Sequence, residues 1–162
     1  MLIPKPSIDL GPEHMPPPLR SIEGFGVFHV GLCVAGQLDA LFWNAEDKQM
    51  ALIDWKRCKS VVFDDRFQAL RPPLDYLSEC NGSFYALQLN IYRYILESEY
   101  GCSVGDNMFL GVCHHFLHKP RLIRVPLLQE EVDLMVEDQI SRGLAVSAAE
   151  PGPSAVFILP RA

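Results

Sequence analysis

A membrane-spanning stretch is the first thing this chain lacks: no apolar run approaches the roughly 20 residues that a helix needs to cross a bilayer. Paired cysteines are missing too. The five cysteines, Cys33, Cys58, Cys80, Cys102 and Cys113, are odd in number, and no two stand in a C-x-x-C spacing. That argues against a disulfide framework or a local zinc or cluster knuckle, and for free thiols in a reducing compartment. The N-terminus has no basic stretch followed by an apolar run and a small-residue cleavage site, so no secretory signal is expected. The expected location is intracellular, with the compartment open, and no membrane is expected as a partner. Positive charge is also scarce. Fourteen Lys and Arg stand against 20 Asp and Glu, for a net charge of −6. This argues against a general nucleic-acid coat but leaves room for a local basic cleft.

What is present suits one folded domain. The chain has 162 residues, 49% of them hydrophobic, enough for a single core and short for two. Six of the thirteen prolines fall in residues 1–19, which reads as a Pro-rich leader. Residues 143–162, with Pro151, Gly152 and Pro153, read as a C-terminal tail. Between them, 20–142 alternates β-rich and amphipathic segments. Phe25–Val34, Gly36–Trp43 and Met50–Lys56 predict a three-stranded antiparallel meander, with a polar turn "NAEDKQ" before the third strand. Residues 57–83 are irregular. "FYALQLNIYRYILESEY" predicts a helix capped by Ser83 and closed by Gly101, with Phe84, Leu87, Ile91, Tyr94, Ile95 and Ser98 as its buried stripe. "NMFLGVCHHF" and "RLIRVPLL" predict a strand and its return. "QEEVDLMVEDQISR" predicts an amphipathic helix closed by Gly143.

The third strand poses a chemical question. "ALIDWK", residues 51–56, is mostly apolar, yet Asp54 and Lys56 alternate onto the same face. If the turn pairs Trp43 with Met50, Asp39 falls directly opposite Asp54, and facing residues of an antiparallel pair share a face. Two carboxylates that close repel, unless a cation lies between them or one holds a proton. Hard oxygen ligands of this kind suit Mg²⁺. Each piece also has a plain reading: a D-x-K strand is often a solvated face, and a one-residue slip of register would put the acids on opposite faces. On the predicted helix, Gln88 and Tyr92 stand four apart and share a face.

Taken together, Gly36-Gln-Leu-Asp39, Ile53-Asp54-Trp55-Lys56 and Gln88-Leu-Asn-Ile-Tyr92 resemble, in order and spacing, the G-x-x-D, (D/E)-x-K and Q-x-x-x-Y motifs of the PD-(D/E)XK nuclease superfamily, in its RecB-like exonuclease branch. The resemblance covers residues 20–142. It implies an α/β restriction-endonuclease-like core, a central mixed sheet flanked by helices. It also implies a nuclease that uses Mg²⁺, with Mn²⁺ able to substitute, to hydrolyse phosphodiester bonds of nucleic acid, DNA before RNA. Asp39 and Asp54 would hold the metal, and the carbonyl of Trp55 could join them. Lys56 would assist the attacking water, and Gln88 and Tyr92 would position the lysine, the substrate or the metal shell. Glu23 is the candidate for the upstream acid that often completes such sites. Pro16, Pro17 and Pro18 break the segment where the family's N-terminal helix would lie, so that helix is expected to lie outside this chain or to be reduced. The cysteine spacings do not reproduce the four-cysteine set of some relatives, so no iron–sulfur cluster is expected. The alternative function is a non-cutting module of the same fold that binds nucleic acid or a protein partner, and a fusion partner is open as well.

Cations concentrate after the third strand at Lys56, Arg57, Lys59, Arg66 and Arg71, with Arg93 and "HHFLHKPRLIR" adding to them. Acids collect on the last helix at Glu130, Glu131, Asp133, Glu137 and Asp138. A basic cleft with an acidic back face is the expected charge arrangement. His114, His115 and His118 form a cluster in sequence, but alternation on a strand would split the first two.

Overall fold

The structure is a computed structural model that describes residues 20–44, 48–65, 67–115, 117 and 119–144. The expected leader over 1–19, the tail from 145 onward, Arg66 and His118 lie outside the described residues. Five strands form one mixed sheet in sequence order: β1 (Arg20–His29), β2 (Val34–Asn44), β3 (Gln49–Lys56), β4 (Met108–Val112) and β5 (Arg121–Arg124). Strands β1 to β3 are an antiparallel meander, β3 and β4 are parallel, and β4 and β5 are antiparallel. The crossover between the parallel strands carries helix α1 (Asn81–Glu99), and α2 (Gln129–Ser141) follows β5. The class is therefore α/β, a five-stranded mixed sheet flanked by two helices. Among the described residues no helix is long and apolar enough to cross a membrane.

Strand boundaries moved where a β-rich run hid a turn. The first strand does not reach Val34. It ends at His29, and residues 30–33 turn back with Cys33 at φ 53° and its N–H on Val30 O at 3.1 Å. Apolar residues continue through this turn, so hydrophobic pattern alone could not locate it. The next turn does pair Trp43 with Met50.

The β1–β2 ladder contains one irregularity that matters for the site. Phe25 stands opposite Leu38 and Glu23 opposite Ala40, but the pairing skips Gly24 and Asp39. Gly24 has φ +64°, a backbone conformation that glycine adopts without steric cost. Across this gap the strand changes face. Gly36 and Leu38 point to the core on one side, Leu41 and Trp43 on the other. Neither strand gains a residue, so the register is the same on both sides of the gap. On β3 the alternation is regular. Met50 and Leu52 enter the core, and Asp54 and Lys56 continue along that face toward its open end.

Helix α1 is buried on more sides than an amphipathic stripe implies. Ala86, Leu89, Ile95 and Leu96 are core residues, whereas Phe84 and Ser98 of the expected stripe are exposed. The helix also starts earlier than expected. It begins at Asn81, and Ser83 is not its cap but lies buried against Cys80 Sγ at 3.2 Å. Asn81 joins the preceding loop instead: Val62 N–H donates to its Oδ1 at 2.8 Å, and its Nδ2 donates to Ser60 O at 2.9 Å.

Polar side chains fasten the other flank of α1. Asn90, fully buried, donates to Ala86 O at 2.9 Å and Pro126 O at 3.0 Å, and accepts Leu128 N–H at 2.9 Å. Arg93 donates to Glu97 Oε2 at 2.6 Å and Gln129 Oε1 at 2.5 Å. Glu97 Oε1 accepts the N–H groups of Val104 and Gly105. The helix is thus clipped to the entry of α2 and to the loop that leads into β4. Arg93, expected among the cations of the cleft, is 5% exposed and committed to this network, because α1 is buried on more sides than the expected stripe.

Asn90→Ala should destabilise the fold by about 2–3 kcal/mol, since it strands buried main-chain donor and acceptor groups. Urea unfolding checks this, and a loss under about 0.5 kcal/mol would show that Asn90 does not hold α2 to α1.

Candidate active site

Three elements deliver the site. β2 brings Asp39 at its change of face, β3 brings Asp54 and Lys56 at its C-terminal end, and α1 brings Gln88 and Tyr92 down from the layer above. Ligand sites in open α/β sheets form at the carboxyl ends of strands where connections diverge. Here β3 stands between an antiparallel neighbour and a parallel one.

The two acids meet through a break in the sheet. The β2–β3 ladder runs from Asn44 and Gln49 to Ala40 and Ile53 and stops there. The next available donor, Trp55 N–H, goes to the side chain of Asp39, with Oδ2 at 2.8 Å. Asp39 is therefore held beside Asp54 by main chain. Asp54 is 4% exposed. Burial lifts its carboxyl pKa above the ordinary value, and Asp39 raises it further, both by its charge and by a side-chain hydrogen bond, while Lys56 pulls it back.

Lys56 Nζ sits 2.5 Å from Asp54 Oδ2. Both the hydrogen bond and the charge of the ammonium lower the proton affinity of Asp54. The ammonium donates to Gln88 Oε1 at 3.0 Å and lies 4.6 Å from the centre of the Tyr85 ring. An ammonium only donates, which fixes the orientation of the Gln88 amide. Its Nε2 is then free to donate to Tyr92 OH at 2.9 Å. Tyr92 in turn lies over Gly36, where a Cβ would collide with the phenol ring. The first glycine of the G-x-x-D segment thus makes room for the last residue of the Q-x-x-x-Y helix. One run of contacts joins Tyr92, Gln88, Lys56, Asp54 and Asp39.

Glu23 is exposed on β1, opposite Ala40. Among the described residues no three acids, histidines or cysteines gather to hold an ion. His114 and His115 lie past the end of β4 rather than on it, so alternation does not separate them, and their rings are 4.1 Å apart. Gln88 and Tyr92 also line a cleft of about 820 Å³ walled by Leu70, Arg71, Leu74, Phe84, Ile91 and Met135. Tyr85, under the lysine, was not picked out from the sequence. Its signal was present, since it lies three residues before Gln88 and so shares that face of α1.

The donor set suits a hard divalent cation. Two carboxylates in contact, one of them buried, form a pair that a cation relieves. No protein-family model matches the chain, and no curated protein matches it.

Two outcomes follow. Because the folded-state pKa of Asp54 is raised, its contribution to metal-free stability is fully present below the unfolded value of about 4 and is lost as pH rises through the higher folded value. Mg²⁺ held by the acid pair would bind the native state preferentially, so it should raise the melting temperature at neutral pH, and the rise should shrink as pH falls and protons compete. Asp54→Asn should remove most of the Mg²⁺ shift; an equal shift in both proteins would place the ion elsewhere. Separately, Gly36→Val should push the Tyr92 ring off Gln88. The expected reading is a change in tyrosine absorbance on Gly36→Val comparable to that on Gln88→Ala, and a null result in both would dissolve the link from Tyr92 to the lysine.

Proposed function

We propose that the chain is a metal-dependent nuclease of the PD-(D/E)XK superfamily, in its RecB-like exonuclease branch, hydrolysing phosphodiester bonds of nucleic acid, with DNA the first substrate to test. The observation that carries the reading is the contact run Asp39, Asp54, Lys56, Gln88, Tyr92, which joins all three sequence motifs in one place. A chance match of spacing has no reason to bring the three motifs into contact.

In this reading Asp39 and Asp54, with the main-chain carbonyl of Trp55, hold Mg²⁺ or Mn²⁺. The ion, when bound, supplies Lewis-acid polarisation of the phosphodiester. Lys56 has three N–H donors. One serves Gln88 and one faces Asp54, which leaves one to orient the attacking water and to meet the negative charge growing on the phosphoryl oxygens. Gln88 and Tyr92 are positioning residues: they fix where the ammonium points without touching the reacting atoms. The Tyr85 ring steadies the same ammonium from beneath.

A panel of linear, circular, single-stranded and double-stranded DNA with Mg²⁺ tests the proposal. Lys56→Ala should lower the cleavage rate by about 100-fold or more, Asp54→Asn should abolish cleavage, and Gln88→Ala should cost less than either. Cleavage that persists at the wild-type rate in both Lys56→Ala and Asp54→Asn would sink the reading.

A further inference from the structure

The basic run after Lys56 and the histidines after β4 take no part in that chemistry, yet the fold brings them together. β3 and β4 pair in parallel as far as Lys56 and Val112, and just beyond, Cys113 N–H donates to Lys56 O at 2.9 Å. Two chain segments therefore leave the sheet side by side, next to the candidate catalytic lysine. One carries Arg57 and Lys59, both exposed. The other carries His114 and His115, their rings 4.1 Å apart and tilted by 34°. Partial desolvation first, then the charges of His115, Lys59 and Arg57, hold the proton affinity of His114 below its ordinary value. These groups come from both segments, and all of them are cationic or become so on protonation. Such a set repels its own protons and draws a polyanion.

We infer that Arg57, Lys59, His114 and His115 form a phosphate-binding platform that grips the nucleic-acid strand beside the bond cut at Asp39, Asp54 and Lys56. The inference rests on the nuclease reading and adds where the flanking phosphates bind. Its signature is proton linkage. A phosphate on the platform offsets the neighbouring cations and raises the pKa of His114, so the complex takes up a proton. Binding then tightens as pH falls from above the bound-state pKa toward the free-state value, while Arg57 and Lys59 stay charged throughout.

The test uses the full chain carrying Asp54→Asn, which prevents cutting and removes that carboxylate's own titration. Fluorescein-labelled single-stranded and duplex DNA are titrated by anisotropy at fixed ionic strength. From pH 7.5 to 5.5 the affinity should rise about threefold to tenfold. Adding His114→Gln and His115→Gln, which keep bulk and polarity but cannot titrate, should reduce that rise to less than about twofold. Arg57→Ala with Lys59→Ala should weaken binding at every pH and lower the salt slope by about two. Circular dichroism shows that each variant is folded. A pH rise and salt slope unchanged in these variants would overturn the platform while leaving the nuclease reading intact, provided Lys56→Ala still stops cleavage of DNA by the otherwise wild-type chain. Cleavage indifferent to Lys56→Ala would instead overturn the nuclease reading, a result the binding curves cannot mimic.

Discussion

The hydrogen bond from Trp55 N–H to the Asp39 carboxylate is the constraint on which the site depends. In a regular hairpin that donor would serve the ladder, and β2 and β3 would stay zipped to their ends. Here a side chain takes it, and the ladder stops at Ala40 and Ile53. The bond also fixes the acid at the point where β2 changes face, which Gly24 permits by turning through positive φ on the neighbouring strand. One interaction therefore opens the sheet, anchors the first carboxylate beside the second and leaves Asp54 and Lys56 at an open strand end. Because the anchor is a main-chain N–H, any residue except proline at position 55 can supply it.

A buried acid next to a lysine needs support from above, and α1 supplies it. The helix delivers Gln88 to the ammonium only if its rotation about its own axis is fixed. Apolar packing alone resists that rotation weakly, because Leu and Ile side chains accommodate small turns. Directional bonds do not. Asn90 to Pro126 and Leu128, Arg93 to Gln129 and Glu97 to the loop before β4 lock the flank of the helix away from the lysine. Buried polar groups are costly unless fully paired, and the pairing around Asn90 is complete enough to convert that cost into a defined orientation. The order of α2 and the aim of Gln88 are linked through this flank.

How much of this was legible in the sequence follows from the range of each signal. Period-two and helical patterns reported the meander, the crossover helix and the terminal helix, because burial repeats along each of them. The Trp43–Met50 register was legible because one polar turn set it. The break at Asp39 was not, since a change of face on two strands at once leaves the register unaltered and is signalled by a single glycine. The stripe of α1 was misjudged for a related reason. A helix buried on several sides loses its polar face, and its buried polar residues, Asn90 and Arg93, read in sequence as surface. Motif spacing pointed to Asp39, Asp54, Lys56, Gln88 and Tyr92, while their contacts depend on a change of face on β2 and on the orientation of α1, neither of which spacing encodes. Glu23, chosen by order in the chain, sits exposed on β1, where no pattern in the sequence distinguished one face of that strand from the other.

The same strand end bears on how an acidic chain could take the nucleic-acid substrate proposed for it. The net charge of −6 is largely screened beyond a Debye length, about 8–10 Å in physiological salt, so a ligand at the site meets mainly the charges near it. At the site the relevant charges lie closer than that. The acids gather where β2 parts from β3, and the cations and imidazoles gather where β3 and β4 leave the sheet together. Lys56 belongs to both sets, through Asp54 on one side and the chain running into Arg57 on the other. The divergence of β3 from its antiparallel neighbour and its continued pairing with its parallel one thus sort opposite charges to two sides of a single residue, a separation that no amphipathic helix or regular hairpin of the same composition would produce.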